Sequence, residues 1–553
     1  MLELEPRSWT LVEALRRQAE QNGDAIYCRF SDGASCTFGE LDLASDACAT
    51  GLRRRGIGPG DRVMIIAGNS MEFLVAFFGV QKRRAVLVPA NAELRGSMLT
   101  HQISNSGPKL IIADRDLTDD LAGHDLSKIV GFIGLEHAAS DRLGIATESF
   151  SDLCMEVDRA AILQPEARDI CLFLYTSGTS GSSKGVRIPQ AHAYLFGLQQ
   201  ARALSVAKAD CYLISLPMFH VNALLMSLGS CLLTGAEAYI TKRFSASQWI
   251  TDVQTSGATV TNTLGVMAEF VLQQPETAQD RQHRLRRVMA VPVSAQWADA
   301  FRARFGIELV QVYGMTECNI VSFTSADSEL VAGCVGSVST EFFDVAIVDP
   351  ETDEPLEPNK VGEIVVRPRL PFCFMQGYHG IPETTVQAWR NLWFHTGDAG
   401  RLDEFDKLHF VDRMGDCIRR RGENISSFEI EQVLLAHPEI AECAVIGIKV
   451  DGAGGEDEVC AYLVSRKHAL DLPGFLEWCA GRLPRYAVPR FLCNTEEIEK
   501  TPTGKVKKRA LRDRGLAPDI WDREMAGYKL ERDAGRTTRS PGRLAATSEQ
   551  NRG

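Results

Sequence analysis

The chain has no Cys-x-x-Cys pair, no apolar run long enough to span a bilayer and no excess of basic charge. Each absence removes a class of protein. Its 15 cysteines are scattered as singles, Cys36, Cys154, Cys211, Cys318 and Cys460 among them, with no adjacent histidine cluster. That disfavours a zinc site and suits small buried apolar residues in a reducing compartment. A formal net charge of -12 argues against a general nucleic-acid binder. An anionic ligand must then be held by local donors acting against the overall field. The start, MLELEPRSWTLVEALRRQ, lacks a basic segment followed by an apolar core, and the end, NRG, is not a peroxisomal address. A cytoplasmic location without stable membrane association is expected. No repeat of solenoid or propeller length is present.

What is present is enough chain for large cores. At 553 residues and 45% hydrophobic composition, roughly three or four domain-sized units fit, some of them fused. RVMIIAG, AVLVPA, KLIIAD, CYLISLP and ELVQVYG read as buried strands alternating with helical patterns. After RVMIIAG, Asn69 or Ser70 can cap a helix whose Phe73, Leu74, Phe77 and Phe78 share one face. From about Asp344 the texture becomes β-rich, with DVAIVD, GEIVVR and LHFVDR separated by turns. Between Asp412 and Asp416 the chain leaves this section. It enters a helix with Ser426 and Glu429 at capping-box spacing and His437-Pro438 at its end. AVIGI, VCAYLV and a helix ending near Leu483 complete a compact α+β unit. The expected fold class is therefore α/β. A large multi-layer α/β N-terminal domain (1–412) carries a β-rich section from about 344 and is followed by a small α+β domain (413–514). The polar, breaker-rich stretch 515–553 is expected to be a disordered tail.

Directly after the apolar run ICLFLY lies TSGTSGSSKG, Thr176 to Gly185. Glycines let backbone approach an anion, successive N–H groups and hydroxyls supply donors, and Lys184 adds a mobile charge, as polyphosphate binding requires. It is not a Walker loop, because Lys184 follows Ser183 and precedes Gly185 where Gly-Lys-Ser/Thr is needed. Taken alone, it reads equally well as a flexible surface loop.

Four further segments follow in order: VYGMTE (Val312–Glu317), WFHTGD (Trp393–Asp398), DRMGDCIRRRGENIS (Asp412–Ser426) and KTPTGKVKKRAL (Lys500–Leu511). With the phosphate loop they resemble the adenylate-forming superfamily of acyl-CoA synthetases, adenylation domains and luciferases, over roughly residues 10 to 512. RGENIS and HTGDAGRLDE look most like crotonobetaine/carnitine-CoA ligase relatives. The resemblance implies a large N-terminal domain and a small mobile C-terminal domain that alternates between two half-reactions. A carboxylate attacks the α-phosphate of MgATP to give acyl-AMP, and the thiol of coenzyme A then displaces AMP. Two anions repel, so the chemistry needs cations and fixed donors around the phosphorus.

Carried over residue by residue, the resemblance assigns Thr176, Ser177, Gly178, Thr179, Gly181 and Lys184 to the ATP phosphates. Tyr313 would stack on adenine, Thr316 would contact the α-phosphate and Glu317 would hold Mg2+. Asp398 would accept from both ribose hydroxyls, and Arg413 would reach ribose or phosphate. Arg413 reads equally well as a surface partner of Asp412 or Asp416. Lys505, in Pro-x-Gly-Lys, would bridge substrate carboxylate and phosphate during adenylation. His220 would gate the acyl or ATP channel, although a lone histidine beside Met218 and Phe219 is more often packed in a core.

The pattern departs from relatives at three places. Gly-Gly-Ala-Pro is replaced by Met289, Ala290, Val291 and Pro292, which alters the expected acyl pocket. At the hinge, Gly415 stands where Asp or Lys is usual, leaving rotation possible but less firmly latched. Arg421-Gly422 replaces a Gly-Gly pair along the CoA tunnel, so an arginine narrows it or meets a CoA phosphate. The leading expectation is an AMP-forming acid:CoA ligase using ATP, Mg2+ and coenzyme A on a small carboxylic acid. Transfer to a separate carrier protein or amine, and a non-catalytic nucleotide-binding relative, are the alternatives. The acid itself is not legible, and oligomeric state is open, with a homodimer among the options.

Overall fold

The computed structural model describes residues 5–94, 96–114, 117, 121, 127–135, 147–176, 183–293, 295–325, 330–331, 333–416, 418–420, 423–425, 427–450, 457–466, 470–483, 487–500, 506–516 and 520–528. The apolar runs close into two seven-stranded sheets. The first has the order Thr147–Ser149, Gly131–Gly134, Leu110–Ala113, Arg62–Ile66, Val86–Ala90, Ile170–Thr176, Lys184–Pro189. The second runs Glu308–Val310, Arg287–Val291, Val260–Leu264, Cys211–Ile214, Glu237–Ile240, Ile26–Phe30, Ser35–Thr37. In each, neighbours are parallel except for the last pair. Parallel strands are buried on both faces, which explains why they read as continuous apolar runs rather than alternating ones.

One apolar cluster takes Ile65 and Leu172 from the first sheet, Tyr212 and Ile240 from the second, and Phe73 and Leu195 from helices Met71–Gln81 and Gln190–Leu204. Ser70, not Asn69, caps the first of these helices, accepting from Phe73 N at 3.2 Å. Burial there is not confined to one face, since every residue from Phe73 to Gln81 is buried. Asn69 does other work. Its Nδ2 donates to Leu216 O (3.1 Å) and Thr241 O (3.0 Å), and its Oδ1 accepts from Met218 N (2.8 Å). It thereby staples the carboxyl edges of the two parallel sheets together.

ELVQVYG is two strands rather than one. Glu308–Val310 closes the second sheet, and Val312–Met315 opens a third, antiparallel one. That sheet continues through Asn319–Phe323, Cys334–Val338, Lys407–Arg413, Phe394–Leu402, Gly362–Pro368 and Phe343–Val348. The β-rich part thus begins at Val312, ahead of the change in texture at Asp344. A strand leaving a buried parallel sheet carries the same apolar side chains on either side of the junction.

The chain divides into two compact units, Met1–Cys417 and Ile418–Gly553, so the division falls after Cys417 rather than Asp412. The smaller unit has a sheet of Ile440–Lys449, Asp457–Ser465, Phe491–Asn494 and Trp521–Asp522. Helices Ser427–Leu435 and Leu472–Ala480 belong to it, with a core including Val445, Ala461, Phe475 and Leu492. Ser426 of the expected capping box lies outside the described residues. Residues 520–528 differ from the expected tail. Trp521–Asp522 pairs antiparallel with Phe491–Asn494, and Arg490 binds Asp522 at 3.0 Å. Two aromatic side chains, Trp521 and Tyr528, pack on the small core and hold an otherwise polar segment. Among the described residues, no helix is long and apolar enough to cross a membrane.

Candidate active site

Thr176 ends one strand and Lys184 begins the return strand, and the two stand opposite each other in antiparallel register. A Walker loop joins a strand to a helix, so the topology as well as the spacing separates this loop from that class. Ser177, Gly178, Thr179 and Gly181 lie outside the described residues. Beyond Lys184 the strand pairs with the segment 376–379, through Gln376 N to Arg187 O (2.9 Å), Arg187 N to Gly377 O (3.0 Å) and His379 N to Gly185 O (2.8 Å). This pairing sets the Tyr378 ring 5.1 Å from Lys184 Nζ, within cation–π range.

The Tyr-Gly-Met-Thr-Glu string is one arm and the turn of a hairpin between Val312–Met315 and Asn319–Phe323. A Cβ on Gly314 would fall 2.1 Å from Asn319 O, so only glycine allows the arms to close this tightly. Glu317 is turned inward and only 5% exposed. The Tyr378 hydroxyl donates to its Oε1 at 3.1 Å, and its carbonyl accepts from Met375 N at 3.1 Å. Burial raises the Glu317 carboxyl above its ordinary range, opposed by the Tyr378 hydroxyl and the positive charges of Arg413 and Lys184. A buried carboxylate short of counter-charge is suited to a hard cation.

Thr316 is held from below by His192, fully buried on helix Gln190–Leu204. Its Nε2 lies 3.0 Å from Thr316 O and its Nδ1 3.0 Å from Cys373 O, while Asn319 Nδ2 lies 3.2 Å from Nδ1 and donates to the His192 carbonyl at 2.9 Å. Burial lowers the imidazole to about 4, so at neutral pH it carries a single N–H. That one proton serves one of the two carbonyls the ring faces, Thr316 O or Cys373 O, so the ring ties both segments to the helix.

Asp398 is 3% exposed. It pairs across the sheet with Arg413, whose Nε lies 2.9 Å from Oδ1, and its Oδ2 accepts from the Tyr313 hydroxyl at 2.8 Å. The Arg413 guanidinium therefore meets the buried Asp398, because cross-strand register points both side chains to one face, while its main-chain N–H donates to Asp412 Oδ1 at 2.8 Å and its carbonyl accepts from Asp416 N at 2.8 Å. Burial and the neighbouring carboxylate push the Tyr313 hydroxyl up, keeping it a donor. Tyr313 is itself buried at 6% exposure, its ring 6.0 Å from that of Phe410. The irregular stretch of strand Phe394–Leu402 before Asp398 is fixed by Glu363, which accepts from Gly397 N (3.0 Å) and contacts His395 Nδ1 (2.8 Å). Thr396 Oγ1 accepts from Asp398 N at 3.1 Å.

At the carboxyl edge of the second parallel sheet, His220 is half-buried, its ring 4.5 Å from that of Phe219, just before the π-helical turn Asn222–Ser227. Met289 and Ala290 differ from the expected pocket lining. Both are 0% exposed and lie on opposite faces of their strand, Met289 in the main core and Ala290 against Trp249 and Phe301, so neither offers surface to a ligand. Val291, one residue on, is 37% exposed at the edge. Gly415 is exposed in the turn after Arg413, and a Cβ there would meet nothing within 4 Å. Arg421, Gly422 and Lys505 lie outside the described residues. Tyr378, His192, Asn319 and Glu363 were not singled out by motif. Only Tyr378, in GYHG upstream of HTGD, sits in a string a motif reading could have flagged.

Residues 15–379 match the AMP-binding enzyme family, and residues 429–505 match the AMP-binding enzyme C-terminal domain. The chain belongs to the AMP-binding enzyme family. It is 30% identical over 471 residues to a crotonobetaine/carnitine–CoA ligase of Salmonella typhi, covering 83% of this chain and 89% of that protein. Its fold matches ATP-bound MatB from Rhodopseudomonas palustris with a TM-score of 0.79 at 25% identity, over 91% of this chain and 98% of that one. O-succinylbenzoate CoA synthetase (MenE) from Bacillus subtilis, in complex with AMP, shares the fold at 24% identity with a TM-score of 0.77, over 92% of this chain and 98% of that one. This AMP-binding enzyme is an AMP-forming acid–thiol ligase: with ATP it activates a carboxylic acid to acyl-AMP, then forms a thioester with coenzyme A.

Proposed function

We propose that the described side chains divide the work of the first half-reaction as follows. Lys184, at the mouth of the phosphate hairpin, neutralises phosphate oxygens. Asp398, oriented by Tyr313 and Arg413, accepts from the ribose hydroxyls. Thr316 meets the α-phosphate. Among the described residues no group of three or more His, Cys, Asp or Glu is gathered for a metal, so Mg2+ would be held by Glu317 with phosphate and water oxygens completing its shell. When bound, the ion supplies charge neutralisation at the phosphates. The acid lies at the carboxyl edge of the parallel strands near His220 and Val291, where ligands of open α/β sheets bind. No general base is required, because the attacking carboxylate is already ionised. Lys505 bridges carboxylate and phosphate, and Arg421-Gly422 borders the path of coenzyme A. The cytoplasm, reducing and thiol-preserving, is the proposed location.

The observation that carries this reading is the run of contacts from Lys184 through Tyr378 to Glu317, beside Tyr313, Asp398 and Arg413. It is tested by a pyrophosphate-release screen over a carboxylic-acid library, with and without coenzyme A, and with a phosphopantetheinylated carrier protein as a third acceptor. Acid-dependent pyrophosphate and an acyl-CoA product are expected. Thioester on the carrier alone would move the acceptor, and no pyrophosphate with any acid would overturn the reading.

A further inference from the structure

A chain of buried amides runs from the central helix to the half-buried edge where the acid is placed. Gln200, fully buried on helix Gln190–Leu204, donates from Nε2 to the Tyr212 oxygen (2.8 Å) and to Asn262 Oδ1 (2.9 Å). The Tyr212 hydroxyl donates to the same Asn262 Oδ1. Asn262 Nδ2 in turn donates to Asn222 Oδ1 (2.8 Å) and to Ser227 Oγ (3.1 Å). The one proton of Ser227 goes to the Asn222 main-chain oxygen at 3.0 Å.

Ser227 fixes the polarity of the whole chain. Because its proton is committed to a carbonyl, its oxygen must accept, so the NH2 of Asn262 faces Ser227 and Asn222. Asn222 must then present its oxygen inward and its NH2 outward. Polar groups buried in a sheet interior are costly, and a chain of five side chains that serves to orient one amide is more than packing requires. Asn222 is the first residue of the π-helical turn, a deformation frequent at functional sites, and is half-buried where the others are buried. Beside it stand His220 and Val221, with Leu264 and its register partner Val291 across the strand ends.

We propose that Asn222 determines specificity for the acid: its outward NH2 donates to a neutral oxygen acceptor on the substrate. The acid then carries a carbonyl, hydroxyl or amide oxygen beyond its reacting carboxylate. An outward NH2 repels a trimethylammonium group and leaves an aliphatic chain with an unpaired donor. This rests on the placement of the acid at the His220 edge. The carboxylate that would favour a cation instead is Glu269, half-buried on the helix after Leu264 and raised by burial.

The test is pyrophosphate release with matched sets of acids, each comprising an apolar parent, its keto or hydroxy derivative and its trimethylammonium derivative. The oxygen-bearing member is expected to lead by about tenfold or more in kcat/KM. Asn222→Asp keeps the oxygen that Asn262 donates to and replaces the outward NH2 by a second oxygen. It should erase that preference and raise the trimethylammonium member, with KM for MgATP unchanged. Asn222→Ala, should the aspartate variant fail to fold, is expected to level the set. Preference for the trimethylammonium acid, lost in Glu269→Gln, would overturn the proposal, as would a ranking unaffected by Asn222. Turnover of some acid with such a ranking sinks this inference alone, whereas no turnover of any acid sinks the functional reading beneath it.

Discussion

Tyr378 joins the two charged residues that motif reading finds separately. Its ring faces Lys184 and its hydroxyl holds Glu317. Tyr378→Phe keeps the ring and removes the hydroxyl's bond to the buried Glu317 carboxyl, a loss of about 1–3 kcal/mol. The kcat/KM for MgATP in ATP–pyrophosphate exchange should fall about 10- to 100-fold with thermal stability little changed. His192 makes a stability prediction. Its folded-state imidazole sits at about 4, below the ordinary 6.5. Above that ordinary value both states are neutral. As pH falls through it, the unfolded chain takes up a proton that the folded chain refuses, and stability declines. Urea denaturation should show about 2 kcal/mol lost on this account between roughly pH 7 and pH 5. His192→Gln should lack that slope. Neither residue was legible as functional, because each acts through a partner more than 60 positions away, Tyr378–Glu317 at 61 and His192–Thr316 at 124.

At the scale of elements, helices Gln190–Leu204 and Leu228–Thr234 cross with two glycines in contact. A Cβ on Gly197 would lie 2.7 Å from the Gly229 carbonyl carbon, while one on Gly229 would lie 3.2 Å from Gly197 Cα. Gly197→Ala should therefore destabilise by about 1–3 kcal/mol even after its gain in helix propensity. Gly229→Ala should cost less. Comparing their melting temperatures checks the order. The first helix carries His192 and Gln200, so its seating reaches both Thr316 and the amide chain through Asn262. Short apolar runs such as RVMIIAG and AVLVPA were legible as strands because parallel strands are buried on both faces. ELVQVYG was not legible as two, since its change of sheet at Gln311 alters hydrogen-bond partners and not side-chain character.

For the whole molecule, two half-reactions fall to a chain of two compact units. Lys505 belongs to the smaller unit, and Lys184, Glu317 and Asp398 to the larger. Lys505→Ala should cripple adenylate formation while largely sparing thioester formation from supplied acyl-adenylate. Single-turnover assays of the two steps check this, and equal loss in both would contradict the assigned role. The net charge of -12 sets the background: two anionic reactants must meet on an acidic protein, so on the proposed reading Lys184, Arg413 and Lys505 would act locally against the field.

By itself the sequence determined the chemistry that contiguous backbone must perform. The Thr176–Gly185 loop, the Tyr-Gly-Met-Thr-Glu hairpin and the His-Thr-Gly-Asp stretch each need neighbouring residues in fixed order, so each survives as a readable string. Tertiary structure decided which side chains aim them: that Arg413 meets Asp398, that Tyr378 reaches Glu317, that Met289 and Ala290 are core, and that Asn222 shows its NH2 outward. Those outcomes depend on register, burial and the direction of single protons between segments far apart in the chain, and no local spacing encodes them.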